Sequence, residues 1–326
     1  MLKYIFILFV IILFLILFTL CIYIDFYRYS FIDFYSIYRL EEKYKCKKMY
    51  KDCIITLTTI PERIAKIRPA LLSLLDQSVA VSEIRINVPY TSCKGEKYII
   101  PHWLTKLKYV KIYRHLIDRG PATKLLPTLL DPKTDNKKII VVDDDVIYGS
   151  HTIENLITTF NKYNKKDDKK NNKDNKKYNK TAVTMYGDCL KNNYETNNSL
   201  LVRVKNYLHG ETYTDIMRGH SGYMVDKSMF TEDIYNYHKY PKECFFVDDN
   251  YLSYHLKRNG VKILMVGANY CSIPLPELAS GCLGALHDNE NANGNNEKIV
   301  NLLNKKIVNK LNKKNKKNNK KLNKSY

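Results

Sequence analysis

The chain opens with an unbroken apolar stretch. From Tyr4 to Ile24 no residue is charged and most are Ile, Leu, Phe or Val, a length that crosses a hydrocarbon core as a helix. Asp25 ends the run. The stretch is longer than the apolar part of a secretory leader, and no small-x-small cleavage pattern follows before Tyr27, Arg28 and Tyr29. The pattern therefore predicts a retained transmembrane anchor over residues 1–24. Lys3 lies on one side of it and Arg28, Arg39 and Lys43 on the other, so positive charge does not decide its direction. Residues 25–50 mix Tyr and charge without a clear period, which suits a short stem.

Beyond the stem, short apolar runs alternate with helical periods. Cys53 to Ile60 reads as a first strand, and Pro61 is expected to open a helix whose apolar positions are Ile64, Ile67, Leu71, Leu74 and Leu75. Glu83 to Val88 alternates as a second strand that Pro89 closes. Val110 to Tyr113 makes a third, a helix starting near Pro121 carries Leu125 to Leu130, and Ile139 to Val142 is a fourth, wholly apolar strand. Thr181 to Met185, Ser221 to Val225 and Lys262 to Val266 supply more. This order predicts one α/β domain over residues 51–297, a Rossmann-like, mainly parallel sheet flanked by helices.

The formal charge of +20 at first suggests nucleic acid, but its distribution does not. Residues 161–180 hold nine Lys against three Asp, and the tail from Asn304 holds ten Lys and no acid, so these two Lys/Asn segments carry most of the excess. Such low-complexity sequence cannot bury enough apolar surface to order itself, and it lacks the interleaved aromatics that stack bases. A disordered insertion at 161–180, a basic tail at 298–326 and no specific nucleic-acid partner are expected. Ile299, Val300, Leu302, Leu303, Ile307 and Leu311 have the spacing of a short amphipathic helix ahead of the tail. Eight scattered cysteines without a CxxC pair argue against a zinc ribbon or a disulfide scaffold and leave room for a few bridges in an oxidising lumen. Sequons stand at Asn179, Asn197 and Asn323, a topology marker at most in so Asn-rich a chain.

The chemistry concentrates where strands end. Ile139–Val142 delivers Asp143, Asp144 and Asp145 in succession; acids at the carboxyl end of a parallel strand face the ligand crevice. Three adjacent carboxylates repel unless a cation sits among them, and hard oxygen ligands suit Mg²⁺ or Mn²⁺ carrying phosphates. Arg119-Gly120-Pro121-Ala122-Thr123-Lys124 is a turn opening a helix, with backbone N–H groups and a lysine for an anion. Arg218-Gly219-His220-Ser221-Gly222-Tyr223 allows close approach of backbone to ligand. Phe245-Phe246-Val247-Asp248-Asp249 repeats the apolar-then-acid pattern ahead of a helix, offering a cap and a general base. His287 is a further candidate metal ligand.

Taken together, Ile55-Thr56-Leu57-Thr58-Thr59-Ile60-Pro61-Glu62-Arg63-Ile64, Leu71 to Ser78, Gly120 to Pro127, the Asp triplet and Asp248-Asp249 resemble GT-A glycosyltransferases, including those of large DNA viruses and bacteria. The resemblance covers about residues 52 to 290, and anchor plus stem are similar to a type II membrane layout. It implies a nucleotide-sugar donor held through Mn²⁺ or Mg²⁺ by a DxD motif at Asp143, Asp144 and Asp145. Asp145 and His287 would bind the metal, joined by Asp143, which would also reach the ribose or base. Lys124 would assist on the diphosphate, Thr58 and Arg63 would contact the nucleotide, and Gly219 to Gly222 would floor the sugar or acceptor pocket. Asp248 or Asp249 would deprotonate the hydroxyl of a glycan, protein or lipid acceptor. The layout implies a single-pass protein of a host endomembrane or a virion membrane. Two other classes remain compatible with the same residues: a nucleotidyltransferase or related metal-dependent phosphoryl enzyme, and a membrane-tethered binding protein with a degenerate transferase fold.

Overall fold

The computed structural model describes residues 2–165, 180–189, 210–236, 239–240, 242–266 and 272–275. Helix α1 (Leu2–Ser30) is exposed along its window Leu2–Thr19. That window is apolar and unburied among the described residues, which makes it a candidate membrane span. The helix runs past Asp25, where the apolar pattern stops.

The segment expected as a stem is instead built into the domain. A 3₁₀ turn at Ile32–Phe34 buries Ile32. Helix α2 (Ile37–Tyr44) then starts from Ser36, whose hydroxyl accepts from Arg39 N, and buries Ile37, Leu40, Glu41 and Tyr44. That spacing is one helical face. Glu41 accepts from the backbone N–H groups of Lys108 and Tyr109 at 2.6 and 2.8 Å, and the Tyr44 hydroxyl accepts from Val81 N at 2.8 Å. The helical period is obscured because one of its buried positions is the charged Glu41 while the ring of Tyr38 is exposed.

The remaining helices are α3 (Arg68–Leu75), α4 (His102–Thr105), α5 (Leu126–Leu130), α6 (Thr152–Asn164) and α7 (Asp248–Arg258). The strands are β1 (Met49–Tyr50), β2 (Cys53–Thr58), β3 (Ala80–Val81), β4 (Ile84–Pro89), β5 (Val110–His115), β6 (Lys138–Val141), β7 (Val146–Tyr148), β8 (Thr181–Thr184), β9 (Gly187–Asp188), β10 (Thr212–Thr214), β11 (Ile216–Met217), β12 (Tyr223–Asp226), β13 (Lys262–Met265) and β14 (Ser272–Pro274).

Eight of them form one sheet in the order β10-β13-β8-β12-β6-β2-β4-β5. The strands β6, β2, β4 and β5 pair in parallel, as do β8 and β13. The chain is thus mixed α/β with a large, mostly parallel central sheet. The inner strands β2 and β6 are almost wholly buried, which explains their continuous branched apolar residues. Because β2, β4 and β6 point the same way, the loops after β2 and β6 meet at one edge.

Three elements depart from expectation. Pro61 opens turns, and α3 begins only at Arg68 with Pro69 in its first turn, leaving Glu62 and Arg63 on a loop. The strand expected over Ser221–Val225 begins at Tyr223 and runs antiparallel to both β6 and β8; a 3₁₀ turn at Gly219–Ser221 reverses the chain where a crossover helix would keep it parallel. Finally, α6 carries order into the Lys/Asn-rich segment as far as Asn164, whose amide donates to Thr181 O at 2.8 Å and whose carbonyl accepts from Thr181 N at 3.0 Å. The rest of that segment, the amphipathic stretch before the tail, and the tail lie outside the described residues.

Candidate active site

The Asp triplet leaves β6 in a tight connection to β7. The hydroxyl of Tyr148, three residues beyond Asp145, accepts from Asp143 N at 2.7 Å and holds the turn from beneath. Thr59 and Arg63, on the loop after β2, reach across to the acids. The Thr59 hydroxyl donates to Asp144 Oδ2 at 2.5 Å. Arg63 donates to Asp144 Oδ1 at 2.9 Å and Asp145 Oδ2 at 3.0 Å. Arg63, expected at the nucleotide, thus clamps two carboxylates. Thr58 lines the same cavity, its hydroxyl donating to Asn87 O at 2.7 Å.

Lys124 is also placed differently from expectation. It ends the 3₁₀ turn Gly120–Lys124, and its ammonium lies 2.8 Å from Asp143 Oδ1 and 2.9 Å from Asp248 Oδ2. The second contact is an ion pair without hydrogen-bond alignment. An ammonium enclosed between two carboxylates is a buried counter-ion joining β6 to α7, not a free cation awaiting a diphosphate. Beneath it lies a polar network that the sequence did not announce. The Thr56 hydroxyl donates to Lys124 O at 2.5 Å, the Asn87 amide donates to Thr56 Oγ1 at 2.7 Å and Thr128 Oγ1 at 2.9 Å, and His115 Nε2 lies 3.0 Å from Asn87 Oδ1. The available signal was Thr56 and Asn87, polar residues at buried positions of β2 and β4.

The second acidic pair opens α7. Asp249 Oδ1 accepts from Gly219 N at 3.0 Å, while Arg218 lies 3.9 Å from Asp249 Oδ2 and donates to Asp188 Oδ2 at 2.5 Å. Gly219 has a steric reason to be glycine: a Cβ there would sit 2.6 Å from Lys124 Nζ and 3.1 Å from Asp249 Oδ1. Gly222 has a different place. Its φ of +90° favours glycine and a Cβ would meet Leu156 and Val142, so it shapes the turn into β12 and not the cavity wall. His287 lies outside the described residues.

These groups surround a cavity of about 370 Å³, with Thr58 to Arg63, Lys124, the three acids of the triplet, His220, Asp248 and Asp249 along it. The five carboxylates of Asp143, Asp144, Asp145, Asp248 and Asp249 along it meet the fixed cations Arg63 and Lys124, and Arg218, paired with Asp188, stands 3.9 Å from Asp249. Burial pushes Asp144 up to about 7 against the pull of Arg63, and burial with neighbouring Asp143 raises Asp145. Burial likewise lifts Asp248 to about 6 and raises Asp249. Asp143 stays below the ordinary carboxylate range because Lys124 outweighs its burial. Lys124 in turn is held well above its ordinary value by Asp143, Asp248 and Asp249, although burial alone would lower it.

An excess of buried carboxylates with raised pKa values is chemically suited to a divalent cation. Among the described residues no three His, Cys, Asp or Glu side chains converge on one point. A cation held by one or two carboxylates and completed by ligand phosphates and water, the usual habit of Mg²⁺, needs no such cluster. Asp145 and Asp143, whose side chains retain 28% and 25% exposure, are the acids of the triplet open to such an ion.

No family model matches the chain, and no curated protein does. Among solved structures, a crystal structure of GalNAc-T7 with UDP, GalNAc and Mn²⁺ is similar over 68% of this chain and 41% of that one, with 9% identity and a TM-score of 0.40. The chain thus spans well under half the length of that structure.

Proposed function

We propose that this chain is a membrane-anchored, divalent-metal-dependent glycosyltransferase of the GT-A kind, moving a sugar from a nucleotide-sugar donor to a hydroxyl acceptor. The observation that carries this reading is the cavity itself: acids from the end of β6 and the start of α7 share one space, with more carboxylate than fixed cation. A diphosphate and its metal would meet that excess, and a hydroxyl acceptor needs a base beside it.

In this reading Asp143 and Asp145 hold the metal, which when bound would offset the charge gathering on the departing diphosphate. Arg63 keeps the triplet in place, and Lys124 positions Asp143 relative to Asp248. Asp249 is the base. Its side chain keeps 18% exposure against 9% for Asp248, and Gly219 N–H orients it, whereas Asp248 is held by Lys124. Asp249 takes the proton of the acceptor hydroxyl as its oxygen bonds to the anomeric carbon, while the bond from that carbon to the donor phosphate oxygen breaks and the nucleoside diphosphate leaves. Direct attack of this kind inverts the anomeric centre.

The test is release of nucleoside diphosphate by the full chain in vesicles, given a panel of nucleotide sugars and hydroxyl acceptors with Mn²⁺ or Mg²⁺. One donor should turn over, with EDTA and Asp145→Ala abolishing turnover and Asp249→Asn lowering it by ~10²–10⁴-fold. Release of pyrophosphate would transfer the site to the phosphoryl enzymes. Absence of any donor consumption or binding would leave the binding-protein reading.

A further inference from the structure

Only Phe31 separates α1 (Leu2–Ser30) from the 3₁₀ turn Ile32–Phe34, and that turn is fastened to the domain. Arg68 donates to Asp33 O at 2.8 Å and Tyr35 O at 2.6 Å. Arg68 is the first residue of α3, reached directly from the Thr59–Arg63 loop that lines the cavity. The chain therefore leaves α1 at the same end of the domain as the cleft. From there α2 descends along α3 until Tyr44 and Glu41 bond Val81, Lys108 and Tyr109, which stand at the amino ends of β4 and β5. The opposite end of the molecule carries Lys51 and Lys137, just ahead of β2 and β6, with Lys137 Nζ donating to Lys51 O at 2.5 Å.

The surface around the exit is aromatic. Phe31, Phe34, Tyr35 and Tyr38 are all exposed, Phe34 to 83%, and the rings of Phe31 and Phe34 stand 5.7 Å apart. Their neighbours Ile32, Ile37 and Leu40 are buried in the domain, so this is a fixed face and not a loose strand. Rings with an apolar body, two of them carrying a polar tip, favour the interfacial layer of a bilayer. The apolar run of α1 stops at Asp25, and the helix continues only to Ser30, one residue before the face; six helical residues rise about 9 Å, which keeps the face beside that layer.

We propose that Phe31, Phe34, Tyr35 and Tyr38 bed into the interface of the membrane that α1 enters, holding the domain directly on the bilayer with its cleft end toward the lipid. No free stem separates the two, and an acceptor reaching the cleft is then one presented close to the membrane surface.

The test places a fluorescent amino acid singly at Phe34, Lys66 or Lys137 in the full chain. Each protein is reconstituted into phosphatidylcholine vesicles containing head-group spin-labelled lipid, and quenching is read. Lys66 is an exposed residue of the cleft-end loop, outside the cavity wall. Quenching should be strongest at 34, intermediate at 66 and weakest at 137. In Phe34→Ser/Tyr35→Ser/Tyr38→Ser, checked for an unchanged melting temperature, the signal at 66 should fall at least two-fold toward that at 137. Equal quenching at 66 and 137 in the parent chain, insensitivity to the triple substitution, or failure of the chain to float with vesicles would each overturn the proposal. None of these readouts requires transferase activity, so the two readings fail independently.

Discussion

Lys124 and Asp248 have little access to water and Asp143 only a quarter of its side chain: Lys124, Asp143 and Asp248 keep 5%, 25% and 9% side-chain exposure. Removing one member of such a set leaves charge without a partner. Lys124→Met should therefore cost ~3–5 kcal/mol at neutral pH, while adding Asp248→Asn should recover a good part of that loss. Urea unfolding of the two singles and the double reads the coupling; strictly additive effects would remove the bridging role. The sequence did show Lys124 as a chemically placed cation, but a lysine at a turn does not reveal whether it meets a phosphate or a carboxylate 19 residues downstream. His255 was silent in the sequence altogether. It is fully buried with neither ring nitrogen hydrogen-bonded among the described residues, enclosed by Tyr240, Tyr251 and Tyr254, and burial pushes its imidazole down to about 4. The unfolded chain, titrating near ~6.5, takes the proton first. Its stabilising contribution is present above that pH and is lost toward pH 4, a fall of ~3 kcal/mol. The stability of His255→Phe should fall correspondingly less than the parent's between pH 6.5 and 4.5. Parallel curves would remove the assignment.

At the scale of elements, the strands were legible and their ends were not. The apolar runs of β2 and β6 announced themselves because buried parallel strands need continuous branched residues, and β4 and β5 showed through alternation of apolar with polar positions. The start of α3 was misjudged because Pro61 and Pro69 are both acceptable helix openers, and only tertiary contact decides between them. The antiparallel sense of β12 depends on a three-residue turn that carries no periodicity. The largest misjudgement, α2, has the sharpest consequence. Ile32, Ile37, Leu40 and Tyr44 are at most 4% exposed, and each such side chain contributes about 1.5–3 kcal/mol. Their sum approaches the whole stability of an ordinary domain. A protein begun at residue 51 should consequently aggregate or melt without cooperativity, whereas one begun at residue 31 should show a single thermal transition by circular dichroism. Equal cooperativity in both would mean that α2 is dispensable.

For the molecule as a whole, the formal charge of +20 conceals a locally acidic centre. Sixteen of the net positive charges fall in the Lys/Asn segment and the tail, while the cavity sets the five carboxylates of Asp143, Asp144, Asp145, Asp248 and Asp249 against Arg63 and Lys124. The metal-free protein therefore folds against the repulsion of its own site, and a bound cation should return that energy as stability. At a concentration about 100-fold above its dissociation constant, Mn²⁺ or Mg²⁺ would add ~2.7 kcal/mol, or roughly 5–10 °C of melting temperature in a chain of this size. Asp145→Ala should act in two directions. It deletes a carboxylate whose pKa is raised by burial and by Asp143, while Arg63 keeps its partner Asp144, so the variant without metal should melt at or slightly above the parent temperature. It should also lose most of the response to metal. Thermal scans of both proteins in EDTA and in millimolar Mn²⁺ separate these effects. A variant that is destabilised without metal yet still responds would place the cation elsewhere, and a parent that does not respond would mean that protons and Arg63 already balance the triplet.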